Sequence, residues 1–261
     1  MTQGITRTHV TAAKNNVRGP AWYFGWVALA GAALTMAYCL FAMVMARYDF
    51  IPKVAGFKPL MQSFLFVGVT SLVAIAAMLL GMKRKTGNMG PAIVALVLSL
   101  LWAGVLVVNI VIPGVSAPKL HDITTDLDDP PPFAALTLPK NNLRGVGSVE
   151  EWRERHRLGY PDIAPVIIDR GSREVIAAAR ALAEDRGWTI STFDLDTGHM
   201  EAIAYAGFIR FRDYVVIEAT PIADGSTRVD MRSTSEVGVS DLGYNAQRIR
   251  DFLADLQTSE G

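Results

Sequence analysis

The 261-residue sequence has one cysteine, Cys39, and it lies inside an apolar run. No intrachain disulfide and no cysteine-based metal cluster can form. From Gly114 onward there is no thiol at all, which suits an oxidising compartment. Acid is nearly missing from the first 113 residues. Asp49 stands alone there against nine Lys and Arg, a net of +8. From Gly114 onward sixteen Lys and Arg meet twenty-four Asp and Glu, a net of −8, so the formal zero of the whole chain conceals two parts of opposite sign. An acidic C-terminal part lacks the basic footprint that nucleic acid requires, and no nucleic-acid partner is expected.

Charge of either sign is absent from three long runs, Trp22 to Ala46, Leu60 to Met82 and Pro91 to Pro113. A hydrocarbon core of about 30 Å takes roughly 20 helical residues, so each run is long enough to cross a bilayer. The first is about twice the length of a signal-peptide core, and a cleaved leader is not expected. Loop charge sets the orientation. Arg7, Lys14 and Arg18 precede the first run, and Lys83, Arg84 and Lys85 follow the second, with no acid beside either set. Three spans put these two segments on one face, which should be cytoplasmic. The expected organisation is a cytoplasmic segment 1–21, three transmembrane helices within 22–113, a proline-rich strap 114–165 and a domain 166–261 outside. That describes a multi-pass protein of a bacterial inner membrane, its C-terminal domain in the periplasm and the lipid bilayer its first partner. The runs contain no ionisable residue, so they read as an anchor rather than a transport path. Ala28/Ala32, Ala33/Ala37 and Ala77/Gly81 are small pairs that could bring helices together.

Between Gly114 and Pro165, seven prolines, among them Pro130, Pro131 and Pro132, interrupt regular structure. Ser148 followed by Glu151 has capping-box spacing for a short helix, Glu150 to Arg157, with Trp152 its main apolar contact. Asp126, Asp128 and Asp129 cluster as calcium ligands do, but the sixth and twelfth positions lack the Gly and Glu of an EF-hand loop. Asp before Pro starts a turn, and the cluster reads first as that.

The remaining chain predicts a helix from Arg173 to Asp185, N-capped by Ser172 and ended at Gly187. Strands follow at Trp188–Asp194, His199–Phe211, Tyr214–Ile222 and Thr227–Ser235. With Ala223-Asp224-Gly225 as a three-residue loop, Pro221 faces Thr227, Ala219 faces Val229 and Ile217 faces Met231; a one-residue slip would set Ile217 against Arg232. A last helix, Asp241 to Leu256, has Ser240 as N-cap. The fold class is thus an all-α three-span region followed by an α+β domain, an antiparallel sheet of about four strands flanked by two helices. Arg228, Asp230 and Arg232 share a sheet face with Glu218. They read as ion pairs on a wet face, or as a docking face for an anionic headgroup or partner. Asp241, Asn245 and Arg248 form a similar polar set on the last helix.

Several motifs in order carry a family likeness: Ile123-Thr-Thr-Asp-Leu-Asp-Asp-Pro-Pro-Pro-Phe133, Gly159-Tyr-Pro-Asp-Ile-Ala-Pro165, Gly187-Trp188, Glu201-Ala202, Arg228-Val-Asp-Met-Arg-Ser233 and Ser240-Asp-Leu-Gly-Tyr-Asn-Ala-Gln-Arg-Ile-Arg250. Together they resemble the bacterial and plastid family known as domain of unknown function 1499, over about 123–256. The resemblance implies membrane-anchored, periplasmic or thylakoid-lumenal placement and brings no activity, cofactor or catalytic residue.

The residues themselves name no catalytic group. There is no phosphate loop, dinucleotide fingerprint or Gly-x-Ser-x-Gly elbow, so no cofactor is expected. His121, His156 and His199 lack the close pairing of a zinc site, and no metal is expected. His199 and Glu201 share a strand face and could do acid–base work, although a solvated turn end explains them as well. The expected function is a membrane-tethered interaction or ligand-binding module with a protein or lipid partner. The alternatives are an extracytoplasmic hydrolase with an Asp/His site, or a lipid-handling domain with an apolar groove.

Overall fold

Apolar runs without charge become helix here, since only a helix satisfies every backbone group within its own segment. The computed structural model describes residues 19–84 and 89–259. Arg7, Lys14, Arg18 and Lys85 of the orientation argument lie outside the described residues. Three helices are long and apolar enough to cross a membrane: α1 (Pro20–Arg47), α2 (Lys53–Arg84) and a continuous helical run Gly90–Ser116. That run comprises α3 (Gly90–Leu106), a π-helical turn at Val107–Val111 and α4 (Ile112–Ser116). Only 22% of the most apolar window of each is buried, so most apolar side chains face outward, as lipid requires.

The described residues group into two units. One holds those up to Ala37 together with Ser63–Ala103; the other holds Tyr38–Gln62 and everything from Gly104 onward. In the first unit Ala28, Ala74 and Ala95 form a small buried cluster. Ala32 and Ala77 are also buried, whereas Ala33 and Ala37 are exposed. Side-chain hydrogen bonds also cross between helices, among them Thr70 with Ser99 at 3.1 Å and Trp102 Nε1 to Ser63 Oγ at 3.1 Å.

The second unit is built on an antiparallel sheet of six strands, where the sequence indicated about four. These are β1 (Asp122–Thr124), β2 (Val166–Ile168), β3 (Thr189–Asp194), β4 (His199–Ala206), β5 (Phe211–Pro221) and β6 (Thr227–Ser235). The order is β1-β6-β5-β4-β3, with β2 also on β6. The two additional strands are three residues each, too short to show a period of two; β1 lies in the proline-interrupted segment and β2 directly follows Pro165. The last hairpin has the predicted register: Pro221 pairs Thr227, Ala219 pairs Val229 and Ile217 pairs Met231. Strand β4 stops earlier than predicted, because the chain turns at Gly207–Arg210, where Gly207 and Arg210 take φ of 62° and 60°. Asp213 therefore lies inside β5 rather than between two strands.

Three further helices lie beyond β1 in this unit. In α5 (Val149–Gly159) Ser148 accepts from the Glu151 N–H as the capping spacing predicts. Helix α6 (Ser172–Asp185) ends before Gly187, whose φ of 71° suits a residue without a side chain. Helix α7 (Tyr244–Thr258) begins three residues later than predicted, with the Asp241 carboxylate rather than Ser240 accepting the Asn245 N–H, at 2.7 Å. The apolar stripes of α6 and α7 cover one sheet face. Val175, Ile176, Ala179, Ile249 and Phe252 meet Met200, Ile217, Val229 and Met231, all 0–1% exposed. Burial of each of the larger side chains contributes about 2 kcal/mol. This face is filled, and no open apolar groove separates helices from sheet among these core residues.

Candidate functional site

Period-two alternation and antiparallel pairing put a polar set on the other sheet face. His199 lies opposite Glu218 and Glu218 opposite Asp230; Glu201 lies opposite Val216, Val216 opposite Arg232 and Arg232 opposite Thr124. The sequence reads this face as wet, or as open for docking. Instead the strap crosses it. Asp230 is 8% exposed and the Arg232 side chain 15%.

The strap is held at three levels. At its start the Asp126 carboxylate accepts the Asp128 and Asp129 N–H groups at 2.9 and 3.0 Å, the turn expected of Asp in this position. Its other oxygen takes Arg228 at 2.7 Å. These donors hold the Asp126 carboxyl below its ordinary range. Thr125 donates to Asp230 at 3.1 Å. At its middle the fully buried Glu201 carboxylate accepts the backbone N–H groups of Ala134, Ala135 and Leu136 at 2.5, 2.9 and 2.6 Å. Burial alone would raise its pKa; the three donors and His199 overcome that and lower it. His199 lies 3.1 Å from Glu201 and 3.5 Å from Glu218, and Glu218 first, then Glu201, raise its pKa. This pair is not a solvated turn end. At the strap's return, Asn142 donates to Asp122 at 2.5 Å and accepts from Thr234 at 3.2 Å.

Asp122 is the centre of the arrangement. Arg232 holds its carboxylate in a two-point pair at 2.9 and 2.7 Å, the geometry at which a guanidinium and a carboxylate match best. Its carbonyl accepts Trp152 Nε1 at 2.9 Å, which ties α5 to β1. Behind Trp152, His156 accepts the Thr124 N–H at 3.2 Å, and burial lowers its pKa to about 4. Between strap and α5 opens a cleft of about 310 Å³. Asp122, Arg232, Asn142 and Arg153 supply its polar groups; Leu138, Leu143, Val149 and Trp152 are among its apolar walls.

The structure thus brings Asp126, Arg228, Asp230 and Arg232 together under the strap. Asp128 and Asp129 are exposed and lend this site only their backbone. Asp241, Asn245 and Arg248 lie elsewhere, at the α7 side of the sheet. There Arg248 pairs with the buried Asp213 at 2.6 Å, and Asn245 bonds Ser233, Ser235 and the His121 carbonyl. Burial raises the Asp241 carboxyl. That network is internally satisfied and reads as core architecture. Sequence reasoning did not find Asp122, Asn142 or the three-donor role of Glu201. The motif around Ile123 bordered Asp122, but nothing local marks a partner 110 residues away. Among the described residues no group of three or more His, Cys, Asp or Glu side chains is placed to hold a metal.

The chain matches no curated protein sequence. A family described as a protein of unknown function (DUF1499) matches residues 122–256, a span that takes in the strap from Asp122 onward, the cleft and every strand of the sheet. With more than half of its length matched, the chain belongs to the DUF1499 family.

Proposed function

We propose that this protein is a membrane-tethered interaction or ligand-binding module, its C-terminal domain held on the periplasmic side of a bacterial inner membrane and binding through the cleft between strap and α5. The observation that carries the reading is the cleft itself. It is concave, about 310 Å³, mostly apolar in its walls, and has a few convergent polar groups at a fixed guanidinium–carboxylate pair. Orientation follows from the basic residues on the two segments assigned to the cytoplasm. Binding rather than hydrolysis is favoured by how the carboxylates are engaged. Those of Asp122, Asp126 and Glu201 each accept two or more hydrogen bonds that hold the fold together, which leaves no free base poised over the cleft.

The test is to purify the wild-type chain and Leu143→Trp from native membranes and identify the small molecules and proteins that accompany each. Leu143 is 38% exposed at the cleft wall, so a larger ring fills the cleft without entering the core. The expected result is a species present with wild type and missing from Leu143→Trp, at unchanged thermal stability. Identical sets from the two proteins would remove the cleft from the account.

A further inference from the structure

The end of α1, the loop into α2 and the β4–β5 turn meet within one unit. Arg47 donates from Nη1 to the Phe208 carbonyl at 2.8 Å, and its guanidinium lies 5.0 Å from the Phe208 ring. Phe57 and Phe211 make an edge-on ring contact at 5.9 Å. Asp49 is shared by Lys53 at 3.0 Å and Arg212 at 3.1 Å. Lys53 also caps the Ala46 carbonyl at 2.7 Å, so its charge is fully engaged. Arg47 and Arg210 are different. Neither forms an ion pair among the described residues, and each lies over an aromatic ring, Arg210 at 4.0 Å from the Tyr205 centroid. Stacking fixes the plane of a guanidinium and leaves its edge donors for another acceptor. Around them Tyr48, Phe50 and Phe208 are 64%, 71% and 49% exposed. Exposed aromatics beside cations, starting at the residue that ends an uncharged span, are what the headgroup layer selects.

We infer that this rim is a headgroup site for an anionic phospholipid of the surrounding bilayer, with Arg47 and Arg210 holding the phosphodiester and Tyr48, Phe50 and Phe208 entering the interface. The site rests on the membrane-spanning helices and not on the strap cleft, so it stands or falls separately from the binding proposed there. It also differs from the docking face read from the sequence at Arg228 and Arg232, whose guanidinium groups are already paired with aspartates.

The experiment uses the full chain in mixed micelles of phosphatidylcholine and phosphatidylglycerol, with native mass spectrometry reading which lipid stays bound. Wild type should retain phosphatidylglycerol over phosphatidylcholine, and the double variant Arg47→Gln/Arg210→Gln should lose selectivity on the order of tenfold. Arg210→Lys, which keeps the charge, should retain most of it. Equal retention of the two lipids by wild type overturns the inference, and this arm needs no variant to fold. Full selectivity in a folded double variant, or displacement of the lipid by inorganic phosphate alone, overturns it as well.

Discussion

Glu201 anchors the middle of the strap through a single side chain. Its carboxylate accepts the N–H groups of three successive residues, the nearest 65 positions away in sequence. Truncation to Ala strands those donors against a buried face, and each buried group left unsatisfied costs about 1–3 kcal/mol. Glu201→Ala should therefore destabilise the protein by about 3 kcal/mol and speed amide exchange at Ala134–Leu136. Unfolding by urea with exchange measured by mass spectrometry checks both, and unchanged exchange at those amides would show that the strap has another anchor. His199 adds a pH dependence. Its folded pKa lies above the ordinary 6.5, so its stabilisation is complete below about pH 6.5 and fades as pH rises through the folded value. His156 acts in the opposite sense: with its pKa lowered to about 4, stability is lost as pH falls from about 6.5 towards that value. The expected stability gap between wild type and His199→Gln is accordingly wide in mildly acidic solution and narrow above the folded pKa. A gap that widens with rising pH contradicts the assignment. At this scale the sequence was partly legible. Asp126 forms the turn expected of the aspartate cluster ahead of Pro130, because its partners are its neighbours Asp128 and Asp129. Glu201 was visible only as a strand residue beside a histidine, since its partners come from a distant segment with no periodicity of its own.

At the level of elements, local signals carried far. Ser148, Gly187 and the Ala223-Asp224-Gly225 loop placed two helices and the register of the last hairpin, because a cap or turn acts within a few residues. The elements that escaped were β1 and β2, which exist only because the edge of β6 accepts them, and the turn at Gly207–Arg210, which was hidden by a non-glycine residue with positive φ. Two glycines separate conformational from steric demands. Gly225 has φ of 87° and open space where a Cβ would stand; Gly198 has φ of 71°, and a Cβ there would lie 2.4 Å from the Ala219 carbonyl oxygen. Gly225→Ala should cost about 1–2 kcal/mol for the left-handed backbone alone. Gly198→Ala should cost that and roughly 1–3 kcal/mol more, because Ala219 also donates its N–H to the Gly198 carbonyl and the β4–β5 pairing must shift. Denaturant unfolding of the two variants gives the comparison, and equal losses would mean that the turn relaxes without cost.

Across the whole molecule, the division of charge was the most legible property. A segment with a single acid and three uncharged runs leads to three membrane-length helices, and the acidic remainder folds as a sheet with helices on one face. The same charge argument underlies the proposed orientation, in which the basic residues before α1 and after α2 are kept in the cytoplasm. Everything proposed for the cleft, from its ligand to its partner, depends on which compartment it faces. The most direct measurement fuses, after Gly261, a reporter enzyme that is active only outside the cytoplasm, and in parallel one that is active only inside it. The account predicts activity from the first and silence from the second. The reverse pattern would place the strap and its cleft in the cytoplasm and contradict the proposed role.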